Sequence, residues 1–155
     1  MPTSYGRARG SPRRCPTCGS SWTTWASRAW TPAPADPRSG GTDAAVPDLA
    51  PWKQDLADLA ALPNVTAKLS GLVTEARWDA WQPADLRPVV DHALAVFGPD
   101  RLMFGSDWPV QLLAADYGTW MTTLGDLLAG LSPAEAAAVW GGTARRVYRL
   151  EEGHV

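Results

Sequence analysis

The chain has 155 residues, 45% of them hydrophobic and 19% charged, enough for a single buried core. Its formal net charge of −2 supplies no basic face for nucleic acid or an anionic membrane. No apolar run approaches the roughly 20 residues that cross a bilayer, and the N-terminus lacks the apolar centre of a secretory signal, so the expected location is cytoplasmic.

From Met1 to about Val46 the chain is crowded with Ser, Thr, Gly, Pro and Arg, punctuated by Trp22, Trp25 and Trp30, and shows no apolar periodicity. Composition of this kind reads as loop or disorder. Within it, Cys15 and Cys18 form a lone C-P-T-C. That is two ligands where structural zinc needs four, and its flanks of Arg, Pro, Gly and Ser are not a strand-to-helix junction of thioredoxin type.

Tryptophan is out of place in such a segment, and the genetic code offers a reason. The chain has no Ile, two Lys, and many Ala, Arg, Gly and Pro, as a GC-rich gene would encode. Trp has one codon, so Trp22-Thr23 must be written TGG-AC, and a shifted frame reads that junction as aspartate. Trp25-Ala26 is likewise forced to glycine. With G or C at most third positions, Arg14 to Arg28 re-reads as L-P-D-V-R-F-V-L-D-H-L-G-K-P, a buried strand ending in Asp-His. Residues up to roughly Asp43 are therefore expected to be translated out of frame, the alternative being a genuine disordered extension.

From Pro47 onward the chain has the pattern of an α/β protein. Pro51 to Leu62 places Leu56, Leu59, Ala60 and Leu62 on one helical face, and Pro63-Asn64 stops it. Val65 to Leu72 alternates and ends at Ser70-Gly71, a strand with a polar end. Lys68 within it either points into a pocket or lies solvated at an edge. Thr74 to Gln82 reads as a loop with a helical turn, whose Trp78 and Trp81 either wall a pocket or simply pack.

Ala84 to Phe97 carries Leu86, Val89, Val90, Ala93, Leu94 and Phe97 on one stripe, so a helix is expected, ended by Gly98-Pro99. His92 falls on its polar side and reads as a surface histidine rather than a ligand. Next, Leu102-Met103-Phe104 delivers Gly105, Ser106 and Asp107 before Trp108-Pro109 turns the chain away. This is a buried strand with an acid at its tip. The acid is a candidate for catalysis or metal ligation, or else a cap on the following turn.

A helix over Tyr117 to Leu131 follows. Ser132-Pro133-Ala134-Glu135 has the capping residues of a further helix running to Gly141-Gly142. Thr143 to Leu150 is a last short helix, and residues 152–155, with His154, read as a frayed tail. Strand, helix, strand, helix, helix implies a parallel sheet under helices. Two strands leave open edges, so this portion reads as the end of a larger sheet.

The stretches P-N-V-T-A-K-L-S-G-L, F-G-P-D-R-L-M-F-G-S-D-W-P-V and G-G-T-A-R-R-V-Y-R-L together resemble the C-terminal part of the amidohydrolase-related family, the branch containing sugar lactonases of the fuconolactonase type. The resemblance covers about Pro47 to Glu151. The out-of-frame peptide also resembles that family's L-D-H-L-G-K-P strand.

The resemblance implies an α/β fold, the C-terminal fragment of a (β/α)8 barrel, and hydrolysis of a small-molecule lactone, ester or amide, with a divalent, zinc-like metal in some intact members. It implies that Asp107 takes a proton from the attacking water and can ligate the metal, with Ser70 and Trp108 beside the substrate. The family's His-x-His pair is absent from this sequence and its later histidine exists only in the shifted frame, so a histidine-based zinc site is not expected to be completed here. Three readings remain: the C-terminal portion of a lactonase-like hydrolase with little activity alone, a non-catalytic remnant that associates through its sheet edge, or an unfolded translation product.

Overall fold

Helix α1 (Ala50–Ala60) starts with proline in its first turn, where a missing N–H costs nothing, and it buries Trp52, Leu56 and Ala60, spaced four apart. The computed structural model describes residues 21–23, there as backbone only, and 49–150. The C-P-T-C motif, His154 and most of the segments read as disorder or tail lie outside the described residues.

Strand β1 (Ser21–Thr23) lies within the segment whose composition reads as disorder. It pairs in parallel with β2 (Val65–Leu69), Ser21 opposite Val65. On its other side β2 pairs in parallel with β3 (Leu102–Phe104), Leu69 opposite Phe104, so the sheet order is β1-β2-β3. Alternation along β2 and β3 sends Val65, Ala67, Leu69, Leu102 and Phe104 to the face that joins the hydrophobic core. Thr66, Lys68 and Met103 share the opposite face. Lys68 therefore sits on a central strand rather than at an edge, with its ammonium 5.5 Å from the centre of the Tyr148 ring.

Helix α2 (Leu72–Glu75) begins two residues before the loop expected from Thr74 and takes in Leu72, read as the end of the strand; it is entered through Gly71 at φ 73°. Helix α3 (Pro83–Phe97) buries Leu86, Val89, Val90, Ala93 and Phe97 of the predicted stripe, with Leu94 half-buried against the same core. His92 is not the solitary surface group its helical position suggests. Its Nε2 lies 3.0 Å from the Lys53 carbonyl and its ring 5.6 Å from that of Trp52, so it ties α3 to α1. Arg101 holds the two helix ends together: Nη1 donates to the Ala60 carbonyl at 2.8 Å and Nε to that of Phe97 at 3.1 Å. A cation suits that place because helix C-termini present unpaired carbonyls and negative partial charge.

Helix α4 (Tyr117–Leu127) lays Trp120, Leu124 and Leu127 into the core. The expected last helices are one continuous unit: α5 (Pro133–Ala137) passes through a π-helical turn (Ala138–Gly142) into α6 (Thr143–Tyr148). Gly141-Gly142, read as a terminator, instead lies inside the widened turn. Gly142 is held close there, since a Cβ would come 3.3 Å from the Ala137 carbonyl.

Two exposed carboxylates cap this layer. Asp116 accepts from the Thr119 N–H at 2.8 Å and its hydroxyl at 2.7 Å, and Glu135 accepts from the Ser132 hydroxyl at 2.7 Å and N–H at 2.8 Å. These bonds hold both carboxyls below their ordinary range, the Thr119 N–H leading for Asp116 and the Ser132 hydroxyl for Glu135. A carboxylate depressed in the folded state adds stability above its unfolded pKa and loses it as pH falls through the folded value. Melting temperature is therefore expected to drop below about pH 4.5, and Glu135→Gln to flatten part of that slope in a pH series of thermal melts.

Candidate active site

Where β3 ends, the chain must pass close to the end of β2. A Cβ on Gly105 would lie 2.7 Å from the Ser70 Cβ and 2.9 Å from its Oγ, so these strand tips touch at a point where only glycine fits. The Gly105 N–H donates to the Leu69 carbonyl at 3.1 Å, and the Gly105 carbonyl accepts from the Trp120 indole N–H at 3.0 Å. The tip is thus pinned on both sides before it delivers Asp107. Gly105→Ala is expected to cost about 1–3 kcal/mol through overpacking. Adding Ser70→Gly should recover much of this in a double-mutant urea-denaturation cycle.

Asp107 has φ 61°, in the left-handed region that aspartate and asparagine tolerate better than most residues. Its Oδ2 lies 3.1 Å from the Thr74 hydroxyl, which is also 3.0 Å from the Gly71 carbonyl. The hydroxyl has one proton, and the charged oxygen is the stronger acceptor. The Asp107 side chain is therefore held toward α2. It does not cap the turn behind it, where the Gln111 N–H bonds instead to the Asp107 main-chain carbonyl at 2.9 Å. Thr74→Val is expected to cost about 1–2 kcal/mol and to free the Asp107 side chain, visible as averaging of its Cβ proton couplings by NMR.

The chain beyond Asp107 forms a 3-10 turn (Val110–Leu113) with Gln111 fully buried. Its amide is satisfied at both ends when the nitrogen donates to the Ser106 carbonyl and the oxygen accepts from the Tyr117 N–H at 3.1 Å. Trp81 Nε1 donates to the Ala114 carbonyl at 3.0 Å, so this tryptophan anchors the end of the turn. Trp78 is half exposed and donates to the Thr74 carbonyl at 2.7 Å.

The three predicted site residues occupy different settings around one end of the sheet. Asp107 is at the tip of β3, Ser70 is buried at the tip of β2 against Gly105, and Trp108 is 68% exposed. Sequence reading missed Thr74 and Gln111. Gln111 follows a Pro-Val pair with no local pattern to mark it, and the Thr74–Asp107 bond joins positions 33 residues apart. Among the described residues no three His, Cys, Asp or Glu side chains gather where they could hold a metal. His92, the histidine on α3, is engaged with α1.

An acid at the tip of a parallel strand, held by the Thr74 hydroxyl of the neighbouring α2, is an arrangement suited to activating water. The amidohydrolase family model matches residues 39–150, and the chain belongs to that family. Over 110 residues it is 54% identical to an L-fucono-1,5-lactonase of Burkholderia multivorans, a match covering 67% of this chain and 37% of the lactonase. An L-fucono-1,5-lactonase of Burkholderia ambifaria is 42% identical over 107 residues, covering 64% and 36%.

Among solved structures, a zinc-bound amidohydrolase of Burkholderia multivorans superposes with a TM-score of 0.65 at 50% identity, over 66% of this chain and 38% of that one. A putative 2-pyrone-4,6-dicarboxylic acid hydrolase of Pseudomonas putida superposes with a TM-score of 0.55 at 25% identity, over 68% and 38%. The chain thus spans under two fifths of the length of these relatives. No helix among the described residues is long and apolar enough to cross a membrane.

Proposed function

We propose that this chain is the C-terminal part of a (β/α)8-barrel hydrolase that opens a small sugar lactone, with L-fucono-1,5-lactone the first substrate to test. The observation that carries the reading is Asp107, a carboxylate at the tip of a parallel strand, kept in a left-handed backbone and bonded to Thr74. The sequence identity to two lactonases supports the substrate class.

In this reading Asp107 accepts a proton from water as the water oxygen bonds to the lactone carbonyl carbon. The tetrahedral intermediate then collapses, the ring C–O bond breaks, and the proton returns to the departing alkoxide, leaving the open hydroxy acid. Ser70 and Trp108 border the same end of the sheet and line the substrate's approach.

The zinc of the structural relative has no matching ligand set among this chain's described residues, and no step is assigned to a metal. The chain alone is therefore expected to turn over lactone poorly. Comparing aldonolactone hydrolysis by the purified chain with and without added zinc tests this. Zinc-dependent turnover by the 155 residues alone would show that the site is complete.

Residues up to about Asp43 are, in the same reading, an out-of-frame stretch. One observation supports it: the family match begins only at residue 39, near the end of that stretch. Sequencing the gene and measuring the intact mass of the native protein decides it. Codons that do not yield the alternate peptide would remove the idea.

A second reading, a non-catalytic chain that docks on another polypeptide, is favoured by one observation, the edge of β3 that pairs with no further strand among the described residues.

A further inference from the structure

Trp78 and Trp81 stand close together in the loop after α2, and their hydrogen bonds give them different roles. Trp81 packs against the hydrophobic core and donates its indole N–H to the Ala114 carbonyl at 3.0 Å, which fastens the turn after Asp107. Trp78 takes no part in that core, and 52% of it is exposed. Trp52 and Trp120 are buried and Trp140 packs on the core, so among the described residues Trp78 and Trp108 are the exposed tryptophans.

An exposed side chain on a loop ordinarily turns freely. The Trp78 ring is instead tied down at one edge, where Nε1 donates to the Thr74 carbonyl at 2.7 Å, while half of its surface stays open. That bond has a structural use, since Thr74 lies at the end of α2, where helix carbonyls lack partners within the helix. Such a use calls for an N–H donor and not for a ring as large as indole.

Thr74 also joins this ring to the candidate catalytic acid. Its carbonyl accepts from the Trp78 indole, and its hydroxyl lies 3.1 Å from Asp107 Oδ2. Two hydrogen bonds through a single residue place the indole nitrogen within about 10 Å of the carboxylate. A six-membered sugar lactone can rest on the ring and still present its carbonyl carbon to a water at Asp107.

We infer that Trp78 is a sugar-stacking platform of the site, with the C–H side of the substrate's six-membered ring lying on the exposed indole. The inference rests on the proposed lactonase reading and deepens it by naming a residue that selects the ring. An indole face is apolar and carries negative charge density. The C–H groups on one side of a sugar ring are apolar and slightly positive, and the hydroxyls at its rim stay in water. Because the indole is already fixed, stacking costs little side-chain entropy.

The probe is L-fucose, which has the six-membered ring of the lactone and is not hydrolysed. The full 155-residue chain, labelled with 5-fluorotryptophan, is titrated with it and followed by fluorine NMR, the Trp78 resonance being identified by its loss in Trp78→Phe. That resonance is expected to move saturably, while those of Trp81 and Trp120, bonded to Ala114 and Gly105, stay in place. Glycerol, with hydroxyls but no ring, is expected to move none of them.

Trp78→Gln keeps an N–H donor for the Thr74 carbonyl and removes the ring, whereas Trp78→Phe keeps a ring and removes the donor. With binding measured from the L-fucose side by saturation-transfer NMR, Kd is expected to rise about tenfold or more in Trp78→Gln and less than about threefold in Trp78→Phe. A purely structural role predicts the reverse order. If a variant fails to fold, nuclear Overhauser contacts between L-fucose ring protons and the Trp78 indole of the unmutated chain decide.

An unmoved Trp78 resonance, an equal response to glycerol, unchanged binding in Trp78→Gln, or no L-fucose binding would each overturn the inference. Lactone hydrolysis that persists beside any of these would leave the lactonase reading standing. Trp78-dependent L-fucose binding without lactone hydrolysis would leave the platform standing and count against the catalytic reading instead.

Discussion

Under the proposed reading, Asp107→Asn is expected to lower lactone turnover by roughly 10²–10⁴-fold in a sample supplemented with the N-terminal portion of the lactonase relative, with little change in stability. Asparagine keeps the size of aspartate and tolerates the left-handed backbone at φ 61°, and its carboxamide still offers an oxygen to Thr74. What it loses is the ability to accept a proton from water. The loss should appear in kcat with KM nearly unchanged, because the removed interaction acts in the transition state. A variant that unfolds, or one whose deficit lies in KM alone, would point to a structural or binding role.

Trp120→Ala should be the most damaging single change to the fold. The side chain is 1% exposed, lies among Leu124 and Leu127 of α4 in the core, and donates its indole N–H to the Gly105 carbonyl. Truncating a buried tryptophan costs about 3–5 kcal/mol, a large share of the 5–15 kcal/mol that holds a typical domain together. Trp120→Phe separates the two contributions: packing is largely kept and the bond is lost, for a cost of about 1–3 kcal/mol. Urea denaturation followed by circular dichroism measures both. Equal effects of the two substitutions would mean that the hydrogen bond, and not the burial, dominates.

Much of the described fold is legible in the sequence because it rests on local periodicity. The buried stripe of α3 is visible as apolar residues three and four apart, and the strand before Asp107 as a short apolar run closed by Gly-Ser. Misreadings arise where a neighbouring element decides. His92 lies on the polar flank of its helix, yet α1 packs along that flank and takes its hydrogen bond. Gly141-Gly142 has the composition of a helix stop, but the chain absorbs it in a π-helical turn.

The site divides the same way. Asp107 can be found from the sequence because strand, tip and turn are consecutive. The Thr74 hydroxyl that holds it, and the close approach of Ser70 to Gly105, exist only once β2 and β3 lie side by side. In the proposed shifted frame, an Asp-His pair would fall at the position of β1, next to β2.

The most direct measurement is a lactone hydrolysis assay on three samples: the chain alone, the chain mixed with the N-terminal portion of the lactonase relative, and that mixture carrying Asp107→Asn. The account predicts negligible turnover in the first, turnover in the second and its loss in the third. Full turnover by the chain alone, or unchanged turnover in the Asp107→Asn mixture, would contradict it.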